Sequence, residues 1–245
     1  MLHFFYGDNR LAMRRTADDL AAKFAAEFGA DAVSRPDVQA VEPRGLLGDL
    51  VNISLFAPRR LVILSSLNQN AEAWNLIGEN LARIPAETDV IITAVQPDKR
   101  TRAYKNFVKA TDAREFKNLA GFELKRWTED ETRRLSLKIT SDALDELINL
   151  AGENQGKIAG ELAKFAALGR PVDKNLVREI VEPNLAADAF KVLDLAFAGR
   201  RAAALDELNR LRNIEDSNKF LGLLASQVFA LGVALTANVT QSEAA

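Results

Sequence analysis

The chain has 245 residues, 48% of them hydrophobic and 27% charged, with a net charge of −2; this is the composition of a soluble globular protein with room for a core and for one to three domains. The near-neutral balance excludes a uniformly basic nucleic-acid coat. Cysteine is absent, which excludes disulfides, thiolate zinc sites and cysteine nucleophiles, and a single histidine, His3, leaves little scope for histidine metal sites or for acid–base chemistry near neutral pH.

Residues 2–6, Leu-His-Phe-Phe-Tyr, form an apolar run that reads as a first strand, with His3 a structural member of it. Met1 leads straight into this run with no basic region before it, so no secretory leader is expected and the compartment is read as cytoplasmic. After Gly7-Asp8-Asn9 an alanine-rich amphipathic stretch predicts a helix over 10–28, stopped by Gly29. A short helix is expected over 45–55, strands over 60–67 and 88–95, and a helix over 71–83 ahead of the breaker Pro85. Apolar runs that are continuous rather than alternating belong to strands buried on both faces, which predicts an α/β domain with a parallel sheet.

Beyond Leu124 the apolar residues recur at helical spacing and no further strand-like run occurs. Leu144, Leu147, Ile148 and Leu150 mark one helix face, Ile158, Leu162, Phe165 and Ala166 a second, and Leu176, Val177 and Ile180 a third. Ser141 and Asp142 are candidate N-caps, and Gly152 and Gly169 candidate stops. Glu182-Pro183-Asn184 reads as a hinge, with helices beyond it over 185–198, 200–212 and 217–237. The uncharged stretch 220–237 is long enough to raise a membrane span, but Ser226 and Gln227 at its middle and two glycines favour a helix in a bundle. The expected domains are 1–124, 125–183 and 184–245, and the expected partners exclude a membrane.

A sheet trailed by a small helical domain is the outline of an AAA+ ATPase module, so the turn after the first strand is where a nucleotide would bind. A working phosphate loop needs G-x-x-x-x-G-K-[ST], whose backbone N–H groups cradle phosphates while the lysine and hydroxyl meet phosphate and magnesium. Here the turn runs Gly7-Asp8-Asn9-Arg10-Leu11-Ala12-Met13-Arg14, with Ala12, Met13 and Arg14 at the glycine, lysine and hydroxyl positions. The run 90–96 also lacks the acidic pair that would hold magnesium. The turn is therefore read as degenerate, with no cofactor, no metal and no catalysis of its own expected.

The stretch Ser54-Leu55-Phe56-Ala57-Pro58-Arg59-Arg60 then sets two large apolar residues against a proline and two arginines before a strand. On these residues alone the pair would read as the core-facing end of a helix. Taken with Phe4-Phe5-Tyr6-Gly7, with Pro97-Asp98-Lys99-Arg100 ahead of Tyr104-Lys105, and with Gly160-Glu161-Leu162-Ala163-Lys164, all in order, it resembles the delta subunit of the bacterial DNA polymerase III clamp loader. That resemblance implies an α/β parallel-sheet AAA+-like domain, a small helical lid domain and a short all-α collar-like domain. It implies a non-catalytic subunit of the polymerase holoenzyme that opens the sliding clamp for loading onto primed DNA. Leu55 and Phe56 would be the wedge at a helix tip, with Arg59 and Arg60 on its rim. The implied partners are the clamp, the motor and delta-prime type subunits, and DNA. The family's collar is usually longer than the stretch beyond Asn184, so this one is either minimal or incomplete.

Two other features matter. From Lys99 to Lys117, seven basic residues stand against Asp112 and Glu115; Lys99, Arg100, Arg102 and Lys105 are candidate phosphate contacts to DNA, or else a solvated face on a helix beginning near Thr101. Phe220, Leu223, Leu224, Val228, Leu231 and Leu235 form an apolar face expected to lack cover within the chain. The competing functional classes are a nucleotide-dependent ATPase or switch and a freestanding DNA-binding protein.

Overall fold

A computed structural model describes residues 1–52, 59–182, 185–211 and 217–242. The chain divides into two compact units where the sequence suggested three. The first holds residues 1–124 together with 154–156, and the second holds 125–153 and 157–245, so the expected lid and collar helices fall within one unit.

The first unit is built on a parallel five-stranded sheet in the order β2-β3-β4-β1-β5. Its strands are β1 (Leu2–Gly7), β2 (Val33–Ser34), β3 (Arg60–Leu64), β4 (Thr88–Val95) and β5 (Asp112–Phe116). Between them run α1 (Arg10–Phe28), α2 (Pro43–Val51), α3 (Ala71–Glu79) and α4 (Arg102–Ala110). Side chains alternate across the sheet, so neighbouring residues enter different cores. Phe4, Val62, Leu64, Val90 and Ile92 pack with Leu46, Leu50, Trp74, Ile77 and Phe107 from α2, α3 and α4. Phe5, Leu61, Ile63 and Ile91 pack on the other face with Met13, Ala17 and Ala21 of α1. Both faces are thus covered by helices, which is why the strands read as unbroken apolar runs.

Several expectations change. The helix placed over 45–55 is α2, which ends at Val51 with Asn52 extended, and Leu55 and Phe56 lie outside the described residues. The strand placed over 60–67 ends at Leu64, because Ser66 turns into the left-handed region and a short 3-10 turn, Leu67–Gln69, comes next. Two strands were not anticipated: β2 is only two residues long, and β5 is a charged edge strand whose sequence, Asp-Ala-Arg-Glu-Phe, lay inside the basic stretch.

The second unit is helical: α5 (Gly121–Arg134, whose first residues belong to the first unit), α6 (Ser141–Ala151), α7 (Gln155–Leu168), α8 (Lys174–Ile180), α9 (Leu185–Phe197), α10 (Arg201–Leu211) and α11 (Ser217–Ser242). Leu144, Leu147, Ile158, Leu162, Phe165 and Val177 are buried at the expected helical spacing. Gly152 and Gly169 adopt positive φ at the ends of α6 and α7, as stops require, while the N-cap of α6 is Thr140 rather than Ser141 or Asp142. Of the expected uncovered face on α11, Phe220, Leu223 and Leu224 pack with Val192 and Leu208. Val228 and Leu231 of that face are exposed as expected, together with Leu221, Phe229 and Val233 beside them, and the Leu235 side chain lies outside the described residues. Among the described residues no helix is long and apolar enough to cross a membrane.

Candidate functional site

The turn after β1 is closed by its own hydrogen bonds. Gly7 has φ +135°, and a Cβ there would lie 2.0 Å from the carbonyl oxygen of Phe116, so only glycine lets β1 and β5 meet at this point. That same carbonyl accepts from the backbone N–H groups of Asp8 and Asn9, each at 3.1 Å. The Asp8 carboxylate accepts from the N–H of Asn118 at 2.7 Å. Asn9 caps α1 through Oδ1, which accepts from the N–H of Ala12 at 3.0 Å. Its Nδ2 donates to the carbonyl of Lys117 and to Oε1 of buried Gln155, which also accepts from the N–H of Leu119. The donors that a phosphate loop points at its ligand are here spent on the protein itself.

The side chains agree with this closure. Met13, at the lysine position, is 2% exposed and packed in the α1 core, whereas Arg14, at the hydroxyl position, is exposed. β3 runs into Ser65 and Ser66, and β4 carries its one carboxylate, Asp89, at the opposite end from the turn. No cluster of three or more metal-ligating side chains occurs among the described residues. A cleft of about 510 Å³ opens beside the turn between Tyr6, Asp8, Gln96, Lys99, Glu115 and Lys117. Its charges are matched: Lys99 pairs with Glu115 at 2.8 Å and lies over the Tyr6 ring. The Lys99 bond holds the Glu115 carboxyl below its ordinary range. Burial, chiefly, pushes the Tyr104 hydroxyl well above the usual phenol range.

At the other end of the sheet lie Arg59 and Arg60, directly after the six residues 53–58. They point to opposite faces. Arg59 donates to the buried carboxylate of Asp89 at 2.6 Å and stacks over Phe28 and Phe24 of α1. Arg60 donates from Nε to Oγ1 of Thr88 at 3.1 Å and from Nη2 to the carbonyl of Asn52. Arg60 therefore joins the residue before the 53–58 segment to the strand after it. Both arginines were expected on the rim of an interface, and both guanidiniums are instead engaged within the unit.

The candidate DNA-contacting face is largely neutralised. Lys99 and Lys117 share Glu115, Arg100 pairs with Asp98, Arg102 with Glu79 and Arg114 with Asp112. Arg100 holds the Asp98 carboxyl down at about 2. Lys105 and Lys109 on α4 have no carboxylate partner among the described residues. Thr101 caps this helix, accepting from the N–H of Tyr104.

Asn9, Phe116, Gln155 and Asp89 were missed as site residues. Asn9 alone carried a local signal, as a side chain of capping type just before a helix.

A family model described as DNA polymerase III, delta subunit, matches residues 3–117. Over those residues, just under half of its length, the chain is similar to the DNA polymerase III delta-subunit family. The match spans both the closed turn and the segment 53–58. Among solved structures, the Bacillus subtilis DNA clamp loader delta protein is 18% identical, with 92% of this chain and 71% of that chain covered and a TM-score of 0.49. The Thermotoga maritima RuvB Holliday junction branch migration motor is 9% identical, with 79% and 68% covered and a TM-score of 0.51, a likeness of fold alone. A sequence comparison with curated proteins finds no match. The fold class is an α/β parallel-sheet, AAA+-like domain with helices after it.

Proposed function

We propose that this chain is a delta-type, non-catalytic clamp-loader subunit, which binds the sliding clamp through Leu55 and Phe56 and opens the ring for loading onto primed DNA. The observation that carries the non-catalytic part is the closed turn: Asp8 and Asn9 give their N–H groups to Phe116, and Met13 is buried. A nucleotide would have to displace these bonds with no lysine or hydroxyl to replace them. The ATPase reading therefore has no donor set to work with.

The wedge role rests on the family match and on where the pair falls. Leu55 and Phe56 belong to a six-residue connection whose ends are tied together by Arg60 and Asn52. Holding both ends of a short segment lowers the entropy lost when it docks. Burying a leucine and a phenylalanine contributes about 1.5–3 kcal/mol each, whereas nanomolar binding needs about 12 kcal/mol. The pair is an anchor within a wider interface, and Arg59 and Arg60 serve it by position. Sibling subunits of the motor and delta-prime type would dock on the helical unit, where Leu221, Val228, Phe229, Leu231 and Val233 are exposed on α11. Direct DNA contact, first assigned to Lys99, Arg100, Arg102 and Lys105, falls chiefly to Lys105 with Lys109, the cations without a carboxylate partner.

The test is the double substitution Leu55→Ala with Phe56→Ala, with clamp pull-down and thermal unfolding measured on the same preparation. Clamp binding should fall at least about 100-fold, the loss of two buried anchors, with the melting temperature nearly unchanged. A variant that loses several kcal/mol of stability would make the pair core and end the wedge reading.

A further inference from the structure

Three arginines surround a smaller cleft on the α1 face of the sheet. Arg10 and Arg14 stand one turn apart on α1, and Arg35 comes directly after β2. The cleft has a volume of about 170 Å³, with Met13, Ala17, Ile63 and Val95 among its apolar walls and Ser65, Ser66 and Thr93 at the ends of β3 and β4. It thus lies at the carboxyl ends of parallel strands, where open α/β sheets take their ligands.

Charge sets it apart from the rest of the unit. Arg35 is paired with Asp18 at 2.8 Å, but Arg10 and Arg14 have no ion pair or hydrogen bond among the described residues. Like charges four residues apart on a helix repel, and cations in the first turns oppose the helix dipole. Lys105 and Lys109 share this spacing on α4, and Lys99 and Lys117 crowd around Glu115; what distinguishes Arg10 and Arg14 is the cleft that they line together with Arg35. The arrangement of Arg10 and Arg14 is destabilising in the empty protein and favourable once an anion lies between them. Guanidinium groups bind phosphate oxygens in paired hydrogen bonds. The hydroxyls of Ser65 and Ser66 add donors at the rim, while the N–H of Ser66, a residue in the left-handed region, is already given to Oγ1 of Thr93 at 2.8 Å.

Size and donor type define the ligand. The volume falls below the roughly 300–1,000 Å³ usual for small-molecule sites, which suits a small anion rather than a nucleotide. The lining residues include no carboxylate, so the cleft offers nothing to an accompanying magnesium ion. We propose that this cleft binds a small, metal-free phosphate oxyanion, with inorganic pyrophosphate the best probe and Arg10 and Arg14 the principal ligands.

Isothermal titration of the full chain with sodium pyrophosphate, in low-salt buffer without magnesium, tests this. One molecule should bind per chain, and Arg10→Gln with Arg14→Gln should weaken binding at least tenfold. Lys23→Gln with Arg44→Gln, which removes the same charge at exposed positions elsewhere on this unit, should leave it unchanged. Excess magnesium should abolish binding, the reverse of a working nucleotide site. The double arginine variant should unfold at the same urea concentration as the parent or higher, because repulsion is relieved. Equal losses in the two double variants, a requirement for magnesium, or no difference between parent and arginine variant would overturn the proposal. So would a single-stranded oligonucleotide that binds through Arg10 and Arg14 when pyrophosphate does not.

Discussion

The two ends of one parallel sheet have been put to different use. At the carboxyl end of β1, the turn that a nucleotide-binding relative of this fold would leave open is sealed by Phe116, Asn118 and the side chain of Asn9. At the amino end of β3, hydrogen bonds instead fasten the base of a connection that carries two large apolar residues. Arg59 is drawn to Asp89 and Arg60 to Thr88 and Asn52. The difference teaches that the donors of a ligand site can be satisfied internally at one end of a sheet, while at the other end hydrogen bonds fasten the residues that flank the proposed protein-binding segment. Stability and recognition are then expected to separate by position: changes at the closed turn should cost folding, and changes at the amino end of β3 should cost partner binding.

The strongest way to break this comparison is at Gly7. Gly7→Ala would place a Cβ 2.0 Å from the Phe116 oxygen in a backbone conformation that alanine avoids, so β5 must shift away from β1 and the turn must give up its bonds. A loss of about 3 kcal/mol or more is expected in urea unfolding. A near-neutral result would mean that the turn is not closed as described.

Asn9 comes next. Asn9→Ala removes the cap of α1, takes the Nδ2 donor from the Lys117 carbonyl and leaves Gln155 Oε1 with the Leu119 N–H, an expected loss of about 2 kcal/mol. Asn9→Asp keeps an acceptor for the Ala12 N–H but sets a carboxylate against two oxygen acceptors. It should be no better than alanine if the donor bonds matter. Stability equal to the parent would leave capping as the only role of Asn9. Neither variant should gain ATP binding in calorimetry, since the lysine and hydroxyl remain absent.

How much of this was legible depends on the range of each interaction. β1, β3 and β4 could be read because both faces are covered, and α1 because its apolar spacing, the residues before it and Gly29 all agree. β5 could not, since a charged edge strand such as Asp-Ala-Arg-Glu-Phe is recognisable only from its neighbour β1. The loss of the phosphate loop was visible in Ala12 and Met13, because a missing lysine is a local fact. The closure was not, because Phe116 and Gln155 lie more than one hundred residues away from the turn in sequence. Arg59 and Arg60 were legible as notable residues but not in their roles, which depend on Asp89 and Thr88 of the adjacent strand.

At the amino end of β3 the expected effect on folding is smaller. Arg60→Ala releases the exposed Asn52 carbonyl and takes one partner from the buried Thr88 hydroxyl, for a loss of about 1 kcal/mol. Clamp binding should fall about tenfold beyond that, because the segment 53–58 loses the tie between its ends and must be ordered on docking. Surface plasmon resonance on an immobilised clamp can separate the cases. A slower association with little change in dissociation would support pre-ordering, whereas unchanged kinetics would mean that Arg60 does not position the wedge.

The smallest effect provides a control in the other unit. In the helical unit Glu146 is nearly buried and accepts from Arg178 at 2.7 Å, with Lys174 at 3.4 Å. The Arg178 hydrogen bond is the chief reason why its carboxyl is held below the ordinary range, with Lys174 adding to it. A carboxyl whose pKa is lower in the folded than in the unfolded chain contributes stability that is complete above the unfolded value and is lost as pH falls through the folded one. Both cations are substantially exposed, so solvent screening limits the contribution to about 1 kcal/mol or less. Glu146→Gln should therefore lower stability slightly at pH 7, and the gap from the parent should close as pH falls from about 5 towards 3. Clamp binding at neutral pH should not change. If Glu146→Gln impaired binding as much as Arg60→Ala does, the effect of Arg60 would be one of general stability, and the assignment of recognition to the amino end of β3 would fail.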